Sequence, residues 1–183
     1  ASVGGHDVTT DPEAVKQTIG YMSQRYGLYD DLTARENMRF YAGIYGLRGR
    51  ARDARVDEVA RELGFEARMD QMAGTLSGGW KQRLALGCAI AHRPPVLFLD
   101  EPTAGVDPAS RRGFWERIHG LARAGTTILV TTHYMDEAEQ CDRLAFISRG
   151  HLIALGTPAE IVSQFALPSV EDVFSELQRR DER

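Results

Sequence analysis

Cysteine is scarce in this chain. Its two cysteines, Cys88 and Cys141, lie far apart without metal-type spacing, so neither a disulfide framework nor a zinc site is expected and both read as reduced thiols. Long apolar runs are missing as well: no window approaches the roughly 18 consecutive apolar residues of a membrane-spanning helix. Ala1 to Thr10 lack the charged and apolar regions of a signal peptide. An excess of one charge is also absent, and a formal net charge of -4 leaves no electrostatic footprint for nucleic acid, which is not expected as a partner. What is present, 43% hydrophobic and 26% charged residues over 183 positions, suits one globular domain with a substantial core.

The chain alternates strand and helix signals. Ala1 to Val8 read as a short strand and turn with no Met and no preceding element, so an upstream segment is expected. Asp11 to Lys16 form a helical turn with an early Pro, and Ile19 to Met22 a strand ending at Ser23 and Gln24. Thr33-x-x-Glu36 is a capping box ahead of a helix carrying Met38, Phe40, Tyr41 and Ile44, and a second helix is expected over about Asp53 to Leu63. Ser77-Gly78-Gly79 opens a third helix that Pro94-Pro95 stops. Val96 to Leu99 is a continuous apolar run, as for a parallel strand buried on both faces, and ends in Asp100-Glu101. Asp107-Pro108 starts a helix to about Arg123, and Thr126 to Thr132 is the next buried strand, delivering His133. A hairpin around Arg149-Gly150, a helix capped by Thr157 and Glu160, and a charged helix from Pro168-Ser169 follow.

This order predicts an α/β fold with a mainly parallel sheet flanked by helices. Such sheets bind ligands outside the carboxyl ends of their strands, and Gln24, Asp100, Glu101 and His133 all fall there. Each is weak by itself, since an acidic pair at a strand end or a single histidine commonly serves structure. Together they suit phosphoryl transfer: Asp100 to hold Mg²⁺, Glu101 to orient the attacking water, and His133 to hydrogen-bond a γ-phosphate. Ser77-Gly78-Gly79 adds a hydroxyl and unshielded N–H groups at a positive helix N-terminus.

Leu76-Ser-Gly-Gly-Trp-Lys-Gln-Arg-Leu84, Val96-Leu-Phe-Leu-Asp-Glu-Pro-Thr103, Gly105-Val-Asp-Pro108 and Thr132-His133 resemble, in order, the motifs of ATP-binding cassette (ABC) ATPases. The resemblance implies a P-loop NTPase-like domain spanning 1–183, a helical sub-domain over 27–80 and a C-terminal helical extension over 157–183. It implies ATP and Mg²⁺ as ligands, with Gln24 as the Q-loop glutamine touching the metal and water, and Ser77, Gly78 and Gly79 as a signature motif reaching a partner's γ-phosphate. Asp100 then corresponds to the Walker B aspartate, Glu101 to the catalytic glutamate, Asp107 to the D-loop residue and His133 to the switch histidine. Tyr26 to Asn37, Thr132 to Ala138 and Ser169 to Phe174 are similar to the motor subunits of ABC-2 type multidrug and antibiotic exporters. Such a motor works as a dimer with a second ABC ATPase domain, beneath a transmembrane permease subunit on the cytoplasmic face of the membrane. Its helical sub-domain receives a coupling helix from that permease.

Two departures stand beside the resemblance. No G-x-x-x-x-G-K-[ST] loop (Walker A) occurs in the 183 residues, and the adenine-stacking aromatic that the family carries further upstream is missing as well. The expectation is therefore an N-terminally truncated domain without its first strands, inactive in ATP hydrolysis by itself, with exposed apolar surface. The alternatives are a non-catalytic half that completes a partner's site, or an ABC ATPase with no transport role. The second departure is Trp80, where the family usually has Gln; a tryptophan there either packs at a dimer interface or stacks on another group.

Overall fold

Three of the apolar runs become parallel strands in the computed structural model of the protein, which describes residues 1–181; the last two residues of the expected extension 157–183 lie outside the described residues. Contacts divide the chain into two units, residues 1–131 and 132–183.

In the first unit, β1 (Ser2–Val3) and β2 (His6–Asp7) pair as a small antiparallel hairpin rather than a lone strand and turn. The α1 helix (Pro12–Thr18) then leads into β3 (Ile19–Met22). β3 pairs in parallel with β4 (Val96–Asp100), and β4 with β5 (Thr127–Thr131), with Tyr21, Phe98 and Leu129 in one row of the register and Met22, Leu99 and Val130 in the next. Successive side chains alternate between faces, so Met22, Leu97 and Leu99 share one face, where each is 1% exposed or less. The reading of Val96–Leu99 as buried on both faces and of Thr126–Thr132 as a buried strand needs correction: Phe98 is only half-buried, no residue of β5 is buried, and Tyr21 and Leu129, in the Phe98 row, are each 54% exposed, because the described helix α4 packs on the first face only.

That packing depends on Gly20. A Cβ there would sit 2.4 Å from the Ala89 carbonyl oxygen and 2.9 Å from Pro94 and Leu97, so only glycine lets β3 lie this close to α4.

Between β3 and β4 lie α2 (Ala34–Ile44), α3 (Gly49–Glu62) and α4 (Gly78–Ile90). The Thr33–Glu36 capping box is formed in full. α3 starts four residues before the expected Asp53, because Arg48 is an extended N-cap and the Arg- and Ala-rich stretch behind it consists of good helix formers. Met38, Val59 and Leu63 meet opposite Gly87 and join the three helices into one apolar cluster. Each such fully buried side chain contributes about 1.5–3 kcal/mol, more than any of the exposed ion pairs around them. α5 (Pro108–Arg123) follows β4, capped by Asp107 and anchored by buried Phe114, Trp115 and Ile118.

The second unit holds a short helix α6 (Met135–Ala138), the antiparallel pair β6 (Leu144–Ser148) and β7 (His151–Gly156), α7 (Pro158–Phe165) and α8 (Val170–Asp181). Its core is formed by Ala138, Leu144, Ala154, Ile161, Val170 and Val173. Thr157 and Glu160 complete the capping box expected for α7. No described helix is long and apolar enough to cross a membrane.

Candidate functional site

The carboxyl ends of β3, β4 and β5 carry the polar groups. Gln24, two residues past β3, donates from Nε2 to Oε2 of Glu101 at 2.8 Å, which joins positions 77 residues apart in the chain. Glu101 follows the last residue of β4 with φ +43°, a left-handed backbone that a non-glycine residue adopts at a cost of about 1–3 kcal/mol. Its N–H is held by Thr131, whose carbonyl and hydroxyl oxygens both accept it at 3.1 Å. The same Thr131 hydroxyl donates to Oδ1 of Asp100 at 2.7 Å. One β5 side chain therefore orients both acids. On the far side of the turn, the fully buried Gln82 donates to the Pro102 carbonyl at 2.7 Å, so α4 fixes the residues that follow the acids.

The loop after Gln24 is pinned from α2. Buried Asn37 accepts from the Tyr29 N–H at 2.9 Å and donates to the carbonyls of Tyr29 and Thr33 at 3.0 Å each. Beside this loop, Tyr21, Tyr26, Tyr41 and Tyr45 line a cavity of about 180 Å³ whose wall includes Cys88 and Ala89. Phe40, at 42% exposed, and Tyr29, at 44%, meet edge to face at 4.8 Å. Burial pushes the Cys88 thiol well above the ordinary cysteine range, so it is packing rather than a nucleophile.

Ser77, Gly78 and Gly79 open α4 as expected, with Ser77 extended at the N-cap but making no side-chain capping bond, and with no acid in the first turn. Gly79 abuts the start of α5: a Cβ on it would meet Ser110 Oγ at 2.4 Å and Ser110 Cβ at 2.8 Å. Asp107 caps α5 by accepting from the N–H groups of Ala109 and Ser110 at 3.1 and 3.0 Å. The Ser110 hydroxyl and these N–H groups hold the Asp107 carboxyl below the usual aspartate range. Trp80 stacks within its own chain, beneath the guanidinium groups of Arg68 and Arg83.

The structure thus joins Gln24, Asp100 and Glu101 in one group, and Gly79 and Asp107 in another. His133 belongs to the second unit, where its ring tilts against Tyr134 at 4.2 Å. Thr132 donates from its hydroxyl to Glu137, a fully buried carboxylate, at 2.8 Å and accepts from the Tyr134 N–H at 3.0 Å, so the backbone on either side of His133 is fixed. Sequence reasoning did not single out Thr131, Gln82, Asn37 or Glu137. Gln82 is flanked in the sequence by Lys81 and Arg83, so nothing local marks it as the buried member of the three.

The donor set suits a hard cation that keeps water and phosphate ligands: Asp100 offers a carboxylate, and Gln24, whose amide nitrogen is engaged by Glu101, keeps its carbonyl oxygen for a metal. Among the described residues no group of three or more His, Cys, Asp or Glu is placed to hold a metal ion.

Comparison with known proteins bears on the family of the chain. A family model described as "ABC transporter" matches residues 2–104. The chain is 44% identical over 182 residues to "Probable multidrug ABC transporter ATP-binding protein YbhF" of Escherichia coli, covering 97% of this chain and 32% of that protein. It is 39% identical over 164 residues to "Linearmycin resistance ATP-binding protein LnrL" of Bacillus subtilis, covering 89% of this chain and 53% of the relative. A solved "Structure of ATP binding subunit of ABC transporter" superposes with a TM-score of 0.83 at 31% identity, over 97% of this chain and 75% of that one. The chain therefore spans between about a third and about half the length of these curated relatives.

Proposed function

The chain belongs to the ABC transporter family, and from that membership we propose that it is the ATP-binding and ATP-hydrolysing part of an exporter's motor. The observation that carries the reading is the hydrogen bond from Gln24 to Glu101 at the strand ends, beside an Asp100 that Thr131 orients. Glu101 accepts a proton from the attacking water, and Gln24 holds the glutamate in place for it. Asp100 and the Gln24 carbonyl would hold Mg²⁺, which would supply neutralisation of charge on the phosphates. Ser77, Gly78 and Gly79 present N–H and hydroxyl donors to the γ-phosphate of a nucleotide on a second ABC ATPase domain, and Asp107 couples the two sites across that dimer. His133 hydrogen-bonds the γ-phosphate. The names of the relatives, multidrug and linearmycin resistance, support export as the task.

A transmembrane permease subunit completes the machine, with this chain docked against it on the cytoplasmic face of the membrane. The tyrosine-lined cavity beside the Gln24 loop, with exposed Phe40 and Tyr29 packed against its Tyr41, supports this docking, because large amphipathic side chains provide contact area for a short partner helix.

A second reading has the chain complete a partner's site without hydrolysing nucleotide itself. Calorimetry with Mg-ATP separates the two, using the chain and a version extended upstream through a phosphate loop. Binding by the extended form, with turnover abolished and ATP-dependent dimerisation kept in its Glu101→Gln variant, is the expected result. Tight binding by the short form, or unchanged turnover in the variant, refutes the site described above.

A further inference from the structure

The first turn of α4 has little of its own to hold it. Ser77 makes no side-chain capping bond, whereas the corresponding residues of α2, α5 and α7 (Thr33, Asp107 and Thr157) all do. The first two helical positions are Gly78 and Gly79, the residue type with the most backbone freedom, at a helix end where fraying is the rule. The next residue is Trp80, whose ring is held by three others. Arg83, one turn along the helix, places its guanidinium 4.3 Å from the ring centroid, Arg68 lies at 4.5 Å, and Phe65 meets the ring edge to face at 5.2 Å. Both arginines are themselves tethered. Arg68 donates to Gln71 Oε1 at 2.9 Å, and Arg83 donates to the Leu63 carbonyl at 3.3 Å. Phe65 is fully buried. Burial, with Arg117 nearby, pulls the Arg83 pKa down, which marks a partly desolvated cation, and attraction to an aromatic face grows as the cation loses water.

We propose that Trp80 is a positioning residue for Ser77, Gly78 and Gly79: clamped by Arg68, Arg83 and Phe65, it holds the phosphate-facing turn of α4 in the place of a capping side chain. The inference rests on the signature role given to that turn under the proposed function. Phe65 and Arg68 belong to the segment between α3 and α4, so the clamp ties the turn to the residues that follow α3. Any movement of that segment is transmitted to the phosphate donors through the indole ring.

Two measurements test the clamp. In the chain itself, amide exchange at Lys81 and Gln82, at the start of the α4 ladder, rises roughly tenfold in Trp80→Ala and less in Arg68→Ala, while exchange in β4 and α5 stays as in the wild type. Trp80→Phe, which keeps an aromatic face, stays close to wild type. In the chain extended through a phosphate loop, Trp80→Ala lowers kcat with KM for Mg-ATP unchanged, since the turn meets nucleotide only in the closed dimer, and Trp80→Phe restores kcat. Exchange at Lys81 and Gln82 unchanged in Trp80→Ala, or raised equally throughout α4, β4 and α5, overturns the proposal. If the extended wild-type chain hydrolyses no ATP, the functional reading fails, and the exchange experiment still decides whether the clamp exists.

Discussion

Gly79→Ala tests how closely the signature turn is built against the next helix. The added methyl group would sit 2.4 Å from Ser110 Oγ and 2.8 Å from Ser110 Cβ. Rotating Ser110 moves the hydroxyl, but Cβ is fixed by the α5 backbone, so one of the two helices has to shift. Overpacking of this kind costs about 1–3 kcal/mol. Restricting the unfolded chain returns about 0.4–1 kcal/mol for a Gly to Ala change in helical backbone. The net expectation is a loss of about 1–2 kcal/mol, or a fall of roughly 0.5–1 M in the urea midpoint. Gly78→Ala is the control, because nothing lies within 4 Å of the point where its new methyl group would stand, and it should match or exceed wild-type stability. Both tryptophans, Trp80 and Trp115, lie in the first unit, so fluorescence follows the unit that carries the change. Adding Ser110→Gly removes the obstructing Cβ, and the double-mutant cycle should return a coupling of about 1 kcal/mol or more. A Gly79→Ala midpoint equal to that of Gly78→Ala would refute the contact.

Other predictions concern the groups around the acids and His133. Thr131→Val keeps shape but removes the hydroxyl that donates to Asp100, so stability should fall by about 1–2 kcal/mol in urea titration, and Mg²⁺-dependent turnover should fall in the extended chain. Glu137→Ala leaves the Thr132 hydroxyl without its buried acceptor, at about 1–3 kcal/mol, and should speed exchange of the Tyr134 amide; unchanged protection there would remove Glu137 from the support of His133. The Asp107 carboxyl is held low by the Ser110 hydroxyl and the N–H groups it caps. Because its folded pKa lies below the unfolded value, its stabilisation is fully present above the ordinary aspartate range and is lost as pH falls through that range to the lowered value. Asp107→Asn should therefore flatten the acid side of a plot of urea midpoint against pH between about pH 6 and about pH 3, and an unaltered slope would show that the cap is not formed in solution.

Local signals in the chain are strong enough to place most elements. Thr33 with Glu36 and Thr157 with Glu160 announce two helix starts through reciprocal bonds spanning only three residues, and Asp107-Pro108 announces a third. The strands at Ile19–Met22 and Val96–Asp100 are equally plain, and so is the convergence of Gln24, Asp100 and Glu101, because parallel strands deliver their ends to one edge. The start of α3 is hidden, since glycine and arginine around Gly49 look like a linker until Arg48 is seen as an extended cap.

What the amino-acid order determined by itself was periodicity, capping chemistry and the residue types at the strand ends, all of which act over a few neighbouring residues. Tertiary structure alone decided that Gln24 bonds to Glu101 across 77 positions, that Thr131 orients both acids, that Gly79 meets Ser110, and that Trp80 stacks on its own arginines. Those contacts join residues distant in the chain. The packing of α4 on β3 beside Gly20 is of the same kind, since a single missing Cβ sets the distance between helix and sheet.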